Sequence, residues 1–139
     1  MDMRIQSFTD LKVWKTARKL RVLTGTMTRK FPPHERYKLN DQMTRAARSV
    51  AANIAEGFGR FHHQDNMRFC RQARASLCEL LEHCICAFDE EYIDRRELAD
   101  CKNLIDDCRQ LLNGYIRSLQ RSLDSQKMST SPITRHASP

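Results

Sequence analysis

Residues 31–57 read FPPHERYKLNDQMTRAARSVAANIAEG, and this stretch decides the fold class. The two consecutive prolines end any preceding helix, because proline lacks an amide hydrogen and holds the residue before it extended. Apolar residues then recur three and four positions apart, which is the spacing of one helix face. They are Leu39, Met43, Ala46, Ala47, Val50 and Ile54. Gly57 follows at a position where a glycine commonly ends a helix. The pattern therefore predicts a long amphipathic helix over residues 34–56.

The same periodicity occurs in three further segments, roughly residues 9–29, 61–90 and 94–123. No stretch alternates apolar and polar residues with a period of two, so strands are not expected. Asp94 and Glu97 form a capping-box pattern at the start of the last segment. Four helices joined by short turns predict an all-α protein, an antiparallel up-down-up-down four-helix bundle.

The end of the chain differs in composition from the rest. Residues 124–139 carry no apolar stripe and are rich in Ser, Thr and Pro. Such a segment cannot bury enough apolar surface to order itself, so we expect a disordered tail. The expected organisation is a bundle over residues 1–123 followed by this tail.

Composition limits the classes of protein to consider. Hydrophobic residues make up 40% of the 139 residues and charged residues 29%, which is typical of a soluble domain. No apolar run is long enough to span a bilayer, and the first residues do not read as a signal peptide. A cytoplasmic location is therefore expected. No pattern has the spacing of a catalytic or metal site, so we expect no enzyme, cofactor or metal.

Six cysteines fit reduced thiols, since disulfides rarely persist in the cytosol. Four of them lie on apolar stripes and are expected to be buried: Cys70, Cys84, Cys101 and Cys108. Cys86 points away from the stripe of the third helix. We expect Cys86 to be exposed or to lie at a subunit contact.

Positive charge is concentrated in the first half of the chain. Residues 1–60 hold 13 Lys and Arg against 5 Asp and Glu, whereas residues 61–139 hold 11 against 12. A concentrated basic surface is typical of a polyanion-binding protein, although solubility alone explains a net charge of this size equally well. The candidate nucleic-acid-binding residues are Lys12, Lys15 and Lys19 on the first helix, Lys38, Arg45 and Arg48 on the second, and Arg60 beyond it.

Three apolar residues of the first helix lie off the centre of its stripe. Leu11 and Val22 fall on the lysine side, and Trp14 lies at the edge. Apolar residues on a polar face suggest a second buried surface. We therefore expect Leu11, Trp14 and Val22 to form a subunit interface.

The turn after the second helix, GFGRFHH at residues 57–63, allows two interpretations. Aromatic residues among cations suit stacking on unpaired bases. Alternatively, the glycines turn the chain while Phe58 and Phe61 cap the core. Just before this turn, Glu56 needs a nearby cation because the end of a helix disfavours an acid, and Asn53 needs hydrogen-bond partners if it is buried.

One combination of motifs resembles a known family, the bacterial four-helix-bundle proteins related to the 23S rRNA intervening-sequence proteins. The resemblance covers roughly residues 8–120. Its motifs are Phe8-x-x-Leu11-x-Val13-Trp14-x-x-Ala17, Phe31-Pro32-x-x-Glu35-x-Tyr37-x-Leu39-x-x-Gln42 and Arg45-Ala46-Ala47-x-Ser49-Val50-x-x-Asn53-Ile54-Ala55-Glu56-Gly57. By analogy with the accessory variability proteins of diversity-generating retroelements, it implies a homopentamer that binds nucleic acid and a reverse transcriptase.

Two functions remain open from the sequence. The first is a non-enzymatic, basic, oligomeric scaffold that binds RNA or an RNA–protein complex, with a reverse transcriptase as a possible partner. The alternative is a protein-interaction subunit whose basic face docks an acidic protein without nucleic acid. Fold analogy does not decide between them.

Overall fold

Four α-helices make up most of the chain. The structure, a computed structural model, describes the backbone of residues 4–137 and the side chains of residues 4–128. Within this range there is no strand, which confirms the all-α, four-helix prediction. The helices are α1 (Lys12–Thr28), α2 (Leu39–Phe58), α3 (His63–Asp89) and α4 (Arg95–Ala137), and short 3-10 helices lie at Phe8–Asp10 and Pro33–Glu35.

The helices enclose one hydrophobic core. Helix α1 packs against α2 and α4, and α3 packs against the same two helices, so the four close into a bundle. The predicted stripe of α2 faces this core: Met43, Val50 and Ile54 are fully buried. Burying a side chain of this size contributes about 1.5–3 kcal/mol. The apolar stripes therefore supply most of the stabilisation of the fold.

The start of α1 differs from the prediction. Ser7 and Asp10 form a capping box around the 3-10 helix, in which the Asp10 carboxylate accepts from the Ser7 amide at 3.1 Å. Leu11 then adopts an extended conformation, with φ −72° and ψ 128°, and α1 begins one residue later. This break shifts the helical phase and turns Leu11 into the core, where it is 8% exposed. Leu11 is therefore not available for the subunit contact that we expected.

Gly57 lies inside α2 and does not end it, contrary to the prediction. The helix continues to Phe58, and no described glycine has a positive φ. The residue matters because α3 approaches here: an added Cβ would lie 2.6 Å from Asn66 Oδ1 and 3.0 Å from both Asn66 O and Phe69 Cβ. Glycine is required at this position by close helix packing.

Helix α4 begins as predicted and extends further than predicted. The Glu97 amide donates to Asp94 Oδ1 at 2.8 Å, and the Asp94 amide donates to Glu97 Oε1 at 3.1 Å, which confirms the capping box. The described backbone stays helical to Ala137, where we expected a disordered tail from residue 124. A helix that is already formed gains one hydrogen bond for each residue added, so it extends beyond its packed part.

A buried polar contact joins α3 to α4 next to Gly57. Asn66 is 5% exposed, and its Nδ2 donates to the Tyr115 hydroxyl at 2.9 Å. The Cys70 thiol donates to Asn66 Oδ1 at 3.5 Å. Burial raises the pKa of Tyr115, with an opposing effect from the Asn66 hydrogen bond. Among the described side chains no buried nitrogen or oxygen lacks a hydrogen-bond partner, so burying this contact leaves no polar group unpaired.

The cysteines separate into buried and surface thiols. The four predicted to be buried are fully buried: Cys70, Cys84, Cys101 and Cys108. Cys86, however, is only partly exposed, while Cys78 is exposed. The Cys86 thiol lies 3.7 Å from Glu82 Oε1, and both partial burial and Glu82 raise its pKa. Cys78 is therefore the more exposed surface thiol, which the sequence analysis did not single out, and a subunit contact at the half-buried Cys86 stays a prediction.

The close approach at Gly57 leads to a prediction for stability. We expect Gly57→Ala to destabilise the protein by about 1–3 kcal/mol, since the methyl group overpacks the α2–α3 contact and the Asn66 carbonyl must move. Gly25→Ala is the matched control, because nothing lies within 4 Å of a Cβ at Gly25 in α1. This control should stabilise the protein by about 0.5–1 kcal/mol. Denaturant unfolding of both variants measures the difference, and equal effects would contradict the packing argument.

Candidate nucleic-acid interface

Helix α1 carries the basic surface of the molecule. Residues 12–28 contain five Lys and Arg and no Asp or Glu. Four of these cations are exposed and Arg21 is half-buried. No ion pair within the described part of the chain involves any of the five: Lys12, Lys15, Arg18, Lys19 and Arg21. Their positive charge is therefore not offset by a contacting acid.

A shallow groove on the outer face of α1 combines these cations with apolar side chains. Lys15, Arg18 and Lys19 line it together with Trp14 and Val22. Val22 is 58% exposed. Trp14 is half-buried and packs edge to face on Phe8, with ring centroids 5.2 Å apart. Trp14, Val22 and Leu23 together give the groove an apolar part among its cations.

The basic surface also borders α4. Lys19 and Arg117 line a second groove between α1 and α4, together with Asp107 and Asn113. A single acid faces two cations there. The groove therefore extends the positive surface from α1 towards the second half of α4, although less strongly than the outer face of α1.

The cations of α2 contribute less than we expected. Arg45 Nε lies 2.9 Å from Asp41 Oδ2, so a neighbouring acid neutralises part of its charge. Arg48 is exposed, and no described acid pairs with it. Lys38 precedes α2 and Arg60 follows it, so a helix of 20 residues, about 30 Å long, separates them. The seven predicted residues therefore do not form one patch.

The turn between α2 and α3 combines a fixed cation with an exposed aromatic ring. Arg60 Nη2 lies 2.7 Å from Glu56 Oε1, so Arg60 is the cation that Glu56 requires. Its guanidinium also lies 4.7 Å from the centroid of the Phe69 ring. Phe58 packs against the core, whereas Phe61 is 92% exposed. Phe61 therefore does not cap the core, and its ring contacts that of His62 edge to face, with centroids 5.0 Å apart.

Asn53 belongs to a contact between helices. Its Nδ2 donates to the Ser49 carbonyl and to Ser49 Oγ, both at 2.9 Å. Ser49 Oγ lies 2.8 Å from Ser76 Oγ on α3. Only the Ser49–Ser76 bond joins α2 to α3, while the two bonds of the Asn53 amide nitrogen hold Ser49 from within α2. The arrangement gives Asn53, like Gly57, a role in packing.

Two basic residues of α1 were missed from the sequence. The prediction followed lysines along one side of the first helix and left out Arg18 and Arg21. Arg18 lines the outer groove of α1. Arg21, one helical turn further along α1, is half-buried. The complete absence of acids from residues 12–28 was the signal that could have identified them, because it does not depend on the helical phase.

Two further findings concern the described residues only. No group of three or more His, Cys, Asp or Glu side chains between residues 4 and 128 is placed to hold a metal ion. No helix that the structure describes is both long enough and apolar enough to cross a membrane.

These features define a class, a small four-helix-bundle protein with a basic, partly apolar first helix. The family model for the 23S rRNA-intervening sequence protein matches residues 9–114, and the chain belongs to that family. No curated protein matches the chain.

A solved structure has the same fold. It is a protein of unknown function from the S23 ribosomal protein family of Bacteroides thetaiotaomicron, with a TM-score of 0.70 and 19% identity. The match covers 75% of this chain and 97% of that chain. The resemblance to the intervening-sequence proteins is therefore confirmed, while the link to retroelement accessory proteins stays a prediction.

Proposed function

We propose that this protein is a non-enzymatic, homo-oligomeric scaffold of the cytoplasm that binds RNA or an RNA–protein complex through α1. The observation that carries the proposal is the row of cations on α1 that no described acid pairs with. Lysine and arginine side chains neutralise phosphates and release counterions, which supplies affinity for any nucleic acid. The family description, which refers to 23S rRNA, supports RNA as the polyanion.

The proposed protomer is an antiparallel up-down-up-down bundle. Contacts between α3 and α4 support this: Asn66 meets Tyr115, Arg74 meets Asn113, and Cys84 meets Cys101. Residues later in α3 contact residues earlier in α4, as they do when two helices run in opposite directions. In such a bundle the α2–α3 turn and the second half of α4 lie at the same end.

Oligomerisation uses the same outer face of α1. Val22 and Trp14 provide the apolar part, and a homopentamer is the assembly that the resemblance to retroelement accessory proteins suggests. Interface rims are polar and open to solvent. A contact centred on Val22 therefore leaves Lys15 and Arg18 at its rim, where phosphate can still reach them. A reverse transcriptase is a possible protein partner of this assembly.

The competing proposal is a subunit that docks an acidic protein. The outer groove of α1 supports it, because apolar side chains among cations complement an acidic amphipathic helix. Salt weakens both kinds of binding, so salt dependence alone does not separate them. A nucleic-acid probe does separate them, since the docking proposal requires no affinity for RNA.

The first prediction of this proposed function concerns phosphate contacts. We expect Lys15→Glu/Lys19→Glu to weaken binding to an RNA hairpin and to flatten the plot of log affinity against log salt by about 1.4–1.8 units, or 0.7–0.9 for each lost contact. Arg96→Glu/Lys102→Glu is the matched control. It changes the net charge equally at exposed positions of α4, where acids accompany the cations.

Titrations of both double variants across a salt series measure this effect. Equal losses in the two variants would show that net charge alone governs binding. Unchanged affinity of the α1 variant, with its helicity and oligomer intact, would reject α1 as the RNA-binding face and favour the docking proposal.

The second prediction concerns Phe61. We expect Phe61→Ala to lower the affinity for single-stranded RNA by about 1–3 kcal/mol, because an exposed ring stacks on an unpaired base, and to leave hairpin stem binding unchanged. Tyr37→Ala is the comparison: Tyr37 is an exposed aromatic residue, 82% accessible, before the opposite end of α2. If Phe61→Ala lowers the affinity for single-stranded RNA and for the hairpin stem equally, or lowers neither, the stacking role is contradicted.

The third prediction concerns assembly. We expect Val22→Ser to shift the assembly towards single chains, since it removes apolar surface without adding charge. Ile85→Ser is the control, because Ile85 is another exposed aliphatic residue, on α3. Light scattering at micromolar concentration measures the masses. A wild-type mass of 16.3 kDa, that of one chain, would contradict oligomerisation altogether.

A further inference from the structure

Two buried thiols meet between α3 and α4. Cys84 Sγ and Cys101 Sγ lie 2.8 Å apart, and both residues are fully buried. Cys84 lies near the end of α3 and Cys101 near the start of α4, so the pair spans the connection between these helices. Neither residue contributes to the proposed RNA-binding face.

The distance is close to that of a covalent bond between the two sulfurs. A disulfide requires a separation of about 2.0 Å. The sulfurs therefore need to approach by less than about 1 Å to reach bonding distance. Cys70 and Cys108, although also buried, make no thiol–thiol contact among the described side chains.

The electrostatics of the pair favour a single thiolate. The hydrogen bond between the two thiols lowers the pKa of Cys101, against the effects of burial and of Asp100. The same hydrogen bond, together with burial, raises the pKa of Cys84. Of the two thiols, Cys101 is therefore the one that ionises more readily, and Cys84 is the one that keeps its proton. This is the arrangement in which an oxidised sulfur meets a second thiol immediately.

We propose that Cys84 and Cys101 form a site of reversible oxidation, at which a peroxide joins α3 to α4 through an intramolecular disulfide. The Cys101 thiolate attacks one peroxide oxygen, the O–O bond breaks, and Cys101 becomes a sulfenic acid. Cys84 then attacks that sulfur and displaces water. In total, two thiols and one hydrogen peroxide give one disulfide and two waters, and two electrons pass from the sulfurs to the peroxide.

The crosslink has a structural consequence. It closes a loop that contains the end of α3, the connecting turn and the start of α4. Restricting this loop lowers the entropy of the unfolded chain and so stabilises the folded one. Because α1 lies outside the loop, the oxidation acts on the bundle without altering the cations of the RNA-binding face.

The experiment uses the full chain carrying Cys78→Ser and Cys86→Ser, which removes both surface thiols. The protein is treated with hydrogen peroxide, alkylated in denaturant, and examined by intact and peptide mass spectrometry. We expect a loss of two hydrogen atoms, one crosslinked peptide pair containing Cys84 and Cys101, and reversal by dithiothreitol. The midpoint of thermal unfolding should rise on oxidation and fall on reduction.

Cys101→Ala in the same background is the control, and it should show neither the mass loss nor the rise. Because the wild-type pair is mapped directly, the result does not depend on whether this control folds. Crosslinks that join other cysteines would overturn the proposal. Full alkylation of Cys84 and Cys101 after peroxide treatment, or sulfinic acid in place of a disulfide, would also overturn it.

Discussion

The fold depends on how closely α2 and α3 approach each other. Short side chains on α2 permit this approach, and at Gly57 an added Cβ would lie 2.6 Å from the side-chain oxygen of Asn66 on α3. Ser49 and Ser76 meet at 2.8 Å further along the same pair of helices. The approach also brings Asn66 into position to bond Tyr115 on α4. One close contact therefore positions three of the four helices and sets the place of the turn that carries Arg60.

Apolar periodicity predicted most of the fold because it records which residues face the core. It correctly placed the α2 stripe and the four buried cysteines. It failed at Leu11, where an extended residue breaks the helical phase, and at Gly57, where a glycine near a helix end serves packing. A single sequence does not distinguish a glycine that ends a helix from one that permits close helix packing. At Gly57 the difference depends on Asn66, a residue of the next helix.

The candidate site was harder to predict for a different reason. Surface charge obeys no periodicity that packing enforces, so the sequence allowed the i,i+4 pairs Asp41–Arg45 and Glu56–Arg60 without showing that these partners are the ones that meet. A long charged side chain can reach several neighbouring groups, and only the structure shows which of them it contacts. The same applies to Cys86. Its position around the helix directs it away from the core, but the Glu82 side chain contacts its thiol. For finding cations without an acidic partner, the charge count of the whole first helix was a better guide than the predicted direction of any one side chain.

The charge of α1 also restricts how copies of the chain can meet. A symmetric contact between two α1 outer faces would set Lys15, Arg18 and Lys19 against the same three cations, and like charges at an interface cost affinity unless an anion lies between them. A contact through Val22 therefore requires a different surface on the neighbouring copy. Head-to-tail contacts of this kind close into rings when the rotation permits. If the proposed assembly is such a ring, it places the α1 cations of every copy in one repeated pattern, which fits the proposed binding of a long polyanion better than the binding of a single acidic helix.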